Sequence, residues 1–165
     1  MQRKLLWIIF GVLLVILLSV YFFLGGFNEV GVEVAEVENY EVVGHFYEGP
    51  YKRDTIASLF FEAKHLLETK TLSGDLSVIN FENDPEQNHS KIFIGILVNQ
   101  EAADFPAHLE SREVGGGKII RASIQSHNVV MPTRDKIDEK MEAFAAANNL
   151  TLTGVTIERY ISENH

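Results

Sequence analysis

The chain begins with an unbroken apolar stretch, residues 5–27, that carries no charged side chain. A helix rises ~1.5 Å per residue and the bilayer hydrocarbon is ~30 Å thick, so about 20 such residues cross it. Beyond this stretch the pattern changes. Val30, Val32 and Val34 alternate with Gly31, Glu33 and Ala35, which predicts a strand with one apolar face. Glu38-Asn39 reads as a turn. Residues 40–47, rich in β-branched and aromatic side chains, read as a second strand closed by Gly49-Pro50. In residues 54–70, Ile56, Leu59, Phe60, Ala63, Leu66 and Leu67 recur at helical spacing and form one apolar stripe. Strands are predicted at 75–81 and 91–98, separated by a polar loop at 82–90 that holds Asn83-Asp84-Pro85.

A similar order then returns. Residues 109–114 and 118–127 read as a hairpin around Gly115-Gly116-Gly117. Pro132 and Thr133 start a second helix, with Thr133 as its cap, and place Ile137, Met141, Phe144, Ala145 and Asn148 on one face. Asn148-Asn149 ends that helix, and residues 151–162 form a last strand region bent at Gly154. Only the order of elements repeats between the halves, not the residues. The pattern predicts an α+β domain, internally duplicated, with a mostly antiparallel sheet. Ile92, Ile94, Ile96 and Val98 share one face of their strand while Phe93 and Leu97 share the other. An antiparallel sheet with one wet face alternates apolar with polar. Here both faces call for cover, and a ligand, a partner or curvature of the sheet onto itself would each supply it.

Charge gives the first stretch a direction. Arg3 and Lys4 precede it, while Glu29, Glu33, Glu36, Glu38 and Glu41 follow it with no basic residue among them. The positive-inside bias places the N-terminus in the cytoplasm and residues 28–165 in the periplasm or outside the cell. The expected organisation is a signal anchor at 1–27, in the lipid bilayer through residues 5–27, and one soluble domain at 28–165. A cleaved signal peptide is the competing reading. Its apolar core is ~7–15 residues with small residues at the cleavage site, whereas here bulky Tyr21-Phe22-Phe23-Leu24 precedes Gly25-Gly26-Phe27. Two of the 14 basic residues precede the stretch and all 23 acidic residues follow it, so the remainder carries a net charge of −11. Such a balance argues against nucleic acid and suits cationic ligands. There is no cysteine, which excludes thiol catalysis, disulfides and Cys-ligated metal.

Four features in sequence carry a resemblance. They are Tyr40-Glu41-Val42-Val43-Gly44-His45 running into Gly49-Pro50-Tyr51 and a helix, then Phe81-Glu82-Asn83-Asp84-Pro85 before a strand, then the glycine-led strand at 117–126 before a second helix, and last Ile157-Glu158-Arg159-Tyr160-Ile161-Ser162. Over residues 30–163 the chain resembles the GyrI-like small-molecule-binding domain, which includes the effector domains of multidrug-sensing activators. The resemblance implies two βαββ-type repeats, an antiparallel sheet with both helices on one face, and a ligand cleft on the other. It also implies that Glu158 sits in an aromatic pocket and pairs with cationic, lipophilic ligands. Phe46, Tyr51, Phe81 and Tyr160 are the candidate walls. Alternation along the last strand sets Val155, Ile157 and Ile161 on the helix-packing side and Thr156, Glu158, Tyr160 and Ser162 towards the cleft, with Arg159 interrupting the apolar face. A carboxylate among aromatics is poorly solvated, and a bound cation relieves that cost, with ring faces adding ~0.5–2 kcal/mol.

Other chemistry finds less support. His45, His65, His89, His108, His127 and His165 show no metal-ligand spacing, so neither a metal nor another cofactor is expected. Haem ligation through His65 would follow only from a related haem-binding family. There is no nucleophile elbow, Walker loop or nucleotide fingerprint. Two alternatives stand beside non-enzymatic binding: a hydrolase in the same cleft, with Glu158 and Tyr160 or Tyr51 polarising a water, and a membrane-tethered protein-interaction module.

Overall fold

The computed structural model describes residues 2–84, 89–98, 105–127 and 129–161. Its fold is α+β: an N-terminal apolar helix, two further helices and seven strands in antiparallel sheets. The chain forms two compact units, one of residues 1–35 and 119–151 and the other of residues 36–118 and 152–165.

The first unit contains α1 (Gln2–Phe23), most of the two-stranded sheet of β1 (Gly31–Val37) and β6 (Gly117–Ser123), and α3 (Arg134–Ala147). Helix α1 is long and apolar enough to cross a membrane, and none of its apolar residues from Leu6 to Phe23 is buried. Membrane anchors and signal sequences share that length and composition. The helix stops where Gly25 takes φ +76, and the His127 N–H then donates to the Leu24 carbonyl. In α3, Thr133 takes the N-cap place but its side chain makes no capping hydrogen bond. The stop follows the sequence reading. Asn149 adopts φ +53, the Leu150 N–H donates to the Ala145 carbonyl, and the Asn149 N–H to that of Ala146. This is the Schellman arrangement, in which a left-handed residue satisfies the last carbonyls. Ala145 is buried, Ile137, Met141 and Phe144 are half-buried, and Asn148 is exposed.

The second unit is built on a five-stranded antiparallel sheet in the order β5-β2-β4-β3-β7. Its strands are β2 (Tyr40–Pro50), β3 (Gly74–Asp84), β4 (His89–Val98), β5 (Glu110–Val114) and β7 (Thr156–Tyr160). Helix α2 (Arg53–Glu68) follows β2. It too ends in a Schellman turn, with Lys70 at φ +56 and the Thr71 N–H donating to the Leu66 carbonyl. The apolar stripe predicted for α2 faces the sheet. Ala63 and Leu66 join Val43, Leu76, Ile92, Ile94, Ile96 and Val98 in one core cluster, edged by Ile56, Leu59, Phe60 and Leu67. On the other face, Val42, Ile79, Phe93 and Leu97 are buried in a second cluster. The double apolar patterning of the central strands is therefore real.

Three predicted elements need correction. The glycine triplet does not close a hairpin: β5 pairs with β2, whereas β6 pairs with β1, so the chain changes sheets there. Gly116 lies against the Val37 carbonyl and Asn39 so closely that a Cβ would collide, and its N–H donates to Asn39 Oδ1 at 2.7 Å. Strand β3 runs on through Asp84 and β4 begins at His89, so residues 82–84 and 89–90 of the expected loop are strand, and its remaining residues 85–88 lie outside the described residues. The last strand is only Thr156–Tyr160, because Gly154 at φ +83 turns the chain just before it.

The faces of that last strand are also reversed. Val78 pairs with Glu158 and Leu76 with Tyr160, which puts Glu158 and Tyr160 on the α2 side of the sheet. Ile157 packs instead in the second cluster. The cause is register: Ile157 lies opposite Ile79, and one residue of slip exchanges every side chain between faces. Ser162 lies outside the described residues.

Candidate functional site

Both oxygens of the half-buried Glu158 carboxylate are held. The Asn80 amide donates to Oε1 at 3.2 Å and the Tyr160 hydroxyl to Oε2 at 3.0 Å. Asn80 is itself 5% exposed, on β3 opposite Thr156. The Phe60 ring of α2 meets Tyr160 edge to face, with centroids 5.5 Å apart. A carboxylate, a phenol and a phenyl ring thus meet at the edge of the helix-covered face. Two neutral donors fix the direction of the carboxylate.

The other expected wall residues do not join this group. Tyr51 follows β2 and is 57% exposed. Phe46 and Phe81 belong to the second face, in contact with each other at 6.3 Å between centroids. A cation does sit over them, but it is internal. The Arg112 guanidinium lies 4.7 Å from the Phe46 ring centre, 5.1 Å from that of Phe81 and 5.6 Å from that of Phe93.

The reach of Arg112 says how the second face is covered. Arg112 is on β5, while Phe81 is on β3, three strand spacings away. In a flat sheet that is ~14 Å, so the sheet must curl for the two side chains to meet. A bulge at Phe81, where the register shifts between Asn80 and Glu82, adds to the bend. From the opposite edge, Arg159 on β7 reaches over the Tyr40 ring of β2 at 5.7 Å and pairs with Asp75. One arginine from each edge strand therefore folds over the apolar face. Curvature, one of the three covers open at the sequence level, is present. The interruption that Arg159 makes in the apolar pattern has a use, because its alkyl stem covers apolar surface while its head stays polar.

A third group was not foreseen. His45 on β2, Glu62 on α2 and His108 just before β5 bring their ligating atoms within 4.8 Å of one another. His45 Nε2 is 3.0 Å from Glu62 Oε1, and His108 Nε2 is 3.4 Å from the same oxygen. These residues are far apart in sequence and follow no spacing rule. The signal that was present is the place of His45 between Val43 and Tyr47, on the face that packs against α2. His65, considered above for haem, is an exposed residue of α2.

Compared with models of known protein families and with curated protein sequences, the chain matches none.

Proposed function

We propose that this chain is a membrane-anchored small-molecule-binding module that takes up small cationic, lipophilic molecules without transforming them. In this reading α1 is an uncleaved anchor with the N-terminus in the cytoplasm, and the remaining residues face the periplasm or exterior. The observation that carries the ligand class is the half-buried Glu158 carboxylate, directed by the Asn80 amide and the Tyr160 hydroxyl beside the Phe60 ring. A carboxylate set next to aromatic rings favours an organic cation over an inorganic one, because the apolar part of the ligand gains from leaving water. The net charge of −11 on the residues after the apolar stretch draws the same ligands from solution. The resemblance to the GyrI-like domain supports a glutamate in this role, but the walls are Tyr160 and Phe60 rather than Phe46 and Phe81.

The test is equilibrium binding of a lipophilic cationic dye to the full chain in detergent. Glu158→Gln keeps the shape and removes the charge, and should weaken the dye several-fold while the unfolding temperature stays the same. Equal affinity in both proteins rejects the site. The Glu158–Tyr160 pair also permits a hydrolase reading, since a carboxylate and a phenol can share a proton with water. Turnover of a small electrophile that disappears with Glu158→Gln would favour it over binding alone.

A further inference from the structure

The geometry points to a divalent transition-metal site at His45, Glu62 and His108, of the zinc class, with a coordination position left open for water or an exogenous ligand. It is independent of the Glu158 reading and uses none of its residues.

Two imidazoles and a carboxylate are the donor set that Zn²⁺ accepts in sites with three protein ligands. In tetrahedral coordination with bonds of ~2.0–2.1 Å, neighbouring donor atoms lie ~3.3 Å apart. The separations of 3.0 and 3.4 Å between Glu62 Oε1 and the two ring nitrogens bracket that edge. The third separation, at most 4.8 Å, closes by a small rotation of His108, whose side chain is 61% exposed. The framework is otherwise fixed. His45 is paired with Ile94 across β2 and β4, one residue beyond the end of the β2–β5 pairing, and Glu62 stands next to buried Ala63 on α2. His108 precedes Leu109, which is anchored in the same core.

The second observation is the state of His45 itself. Its Nε2 is cut off from solvent and has no hydrogen bond, although Glu62 Oε1 is only 3.0 Å away. The two facts agree once direction is considered: the carboxylate oxygen is close but does not lie where a ring N–H would point. A desolvated ring nitrogen without a hydrogen bond is costly to leave so. A cation shared with the carboxylate and the second imidazole satisfies it. The rings of His45 and His108 stand 5.9 Å apart, tilted 30° from parallel. Imidazole and carboxylate donors without sulfur favour Zn²⁺, Co²⁺, Ni²⁺ or Cu²⁺ over the oxygen-seeking Mg²⁺ and Ca²⁺.

The experiment uses the full chain in detergent, carrying no polyhistidine tag and stripped with a chelator. Zn²⁺ is titrated calorimetrically, and Co²⁺ by its visible absorption, which reports coordination geometry. Binding of one equivalent is expected, with a rise in unfolding temperature on adding Zn²⁺. Loss of partners one shell further out already costs 10–100-fold in metal affinity, so His108→Ala, which removes a ligand, should cost at least about tenfold. It should also abolish the Zn²⁺-dependent rise in unfolding temperature while leaving the metal-free value unchanged. Glu62→Gln should weaken Zn²⁺ similarly, and His65→Ala should not. No saturable binding, or a Zn²⁺ affinity in His108→Ala and Glu62→Gln equal to that of the parent chain, overturns the site and leaves an ordinary His–Glu contact.

Discussion

Gly44 and Gly95 face each other across β2 and β4, and both are buried. A Cβ built on Gly95 would collide with the Val43 carbonyl and the Gly44 Cα, and one built on Gly44 with the Ile94 carbonyl and the Gly95 Cα. Neither glycine has positive φ, so the demand is for space rather than for a special backbone conformation. The obstacle in each case is backbone in a paired ladder, which cannot rotate away as a side chain can. Overpacking a core with an extra methyl group costs ~1–3 kcal/mol when side chains adjust. With backbone as the obstacle we place Gly95→Ala at the top of that range, about 3 kcal/mol. For a chain of this size each kcal/mol moves the midpoint by ~2–4 °C, which gives a fall of about 6–12 °C.

Thermal unfolding of the full chain in detergent, followed by the β-sheet circular dichroism signal, reads this directly. Gly115→Ala is the internal control, since nothing lies within 4 Å of its Cβ and its φ is ordinary. That substitution should be neutral, or stabilising by ~0.4–1 kcal/mol through the unfolded chain. In the double variant Gly44→Ala/Gly95→Ala the two costs should not add. Once one methyl has forced the strands apart, the second enters space already opened. A Gly95→Ala midpoint within about 2 °C of the parent, a shift well below the ~6 °C minimum, would refute the close approach of β2 and β4. Full additivity would refute the shared gap.

Three further outcomes follow from particular residues. Replacing the guanidinium over three phenylalanine rings by a shorter, unbranched apolar chain, Arg112→Met, should destabilise the fold by about 1–2 kcal/mol in the same melting assay, the range of a partly desolvated cation–π contact; unchanged stability would mean that Arg112 acts as apolar cover alone. Lys70→Gly should raise stability by up to about 1 kcal/mol, because Lys70 holds the left-handed position at the end of α2, whereas Asn149→Gly at the end of α3 should gain less, since asparagine tolerates that conformation. Because the chain has no cysteine, Glu139→Cys on exposed α3 creates a single label site, and a membrane-impermeant maleimide applied to intact cells should modify it; labelling only after lysis would reverse the proposed orientation.

The elements were legible where a periodic pattern met a clear stop. The α2 stripe, the end of α3 at Asn148-Asn149 and the doubly apolar strand at Ile92–Val98 could be read from spacing because each is a local consequence of which side chains share a face. Strand partners were not legible. Gly115-Gly116-Gly117 looks like a hairpin turn by composition, yet the same freedom from side chains lets Gly116 pass against Val37 and Asn39 while the chain changes sheets. Local sequence contains the flexibility but not the neighbour that uses it. The reversed faces of β7 have the same origin: alternation gives two sets of residues, and only pairing with Leu76, Val78 and Asn80 decides which set meets α2.

The candidate sites divide along the same line. Glu158 and Tyr160 stand two apart on one strand, so their meeting could be foreseen, and the Tyr160 hydroxyl does donate to the carboxylate. Nothing in the spacing of Phe46 and Phe81 ties them to Glu158, and they meet each other and Arg112 on the opposite face. His45, Glu62 and His108 come from a strand, a helix and a connecting segment, so no spacing rule could unite them. What joins them is the packing of α2 on the sheet: the core that buries Val43, Ala63 and Leu109 also sets their neighbours His45, Glu62 and His108 together. The polar cluster is therefore a by-product of the best-formed part of the apolar core. Loosening that core, for example with Leu66→Ala, should weaken any ligand held by the three residues even though none of them is changed.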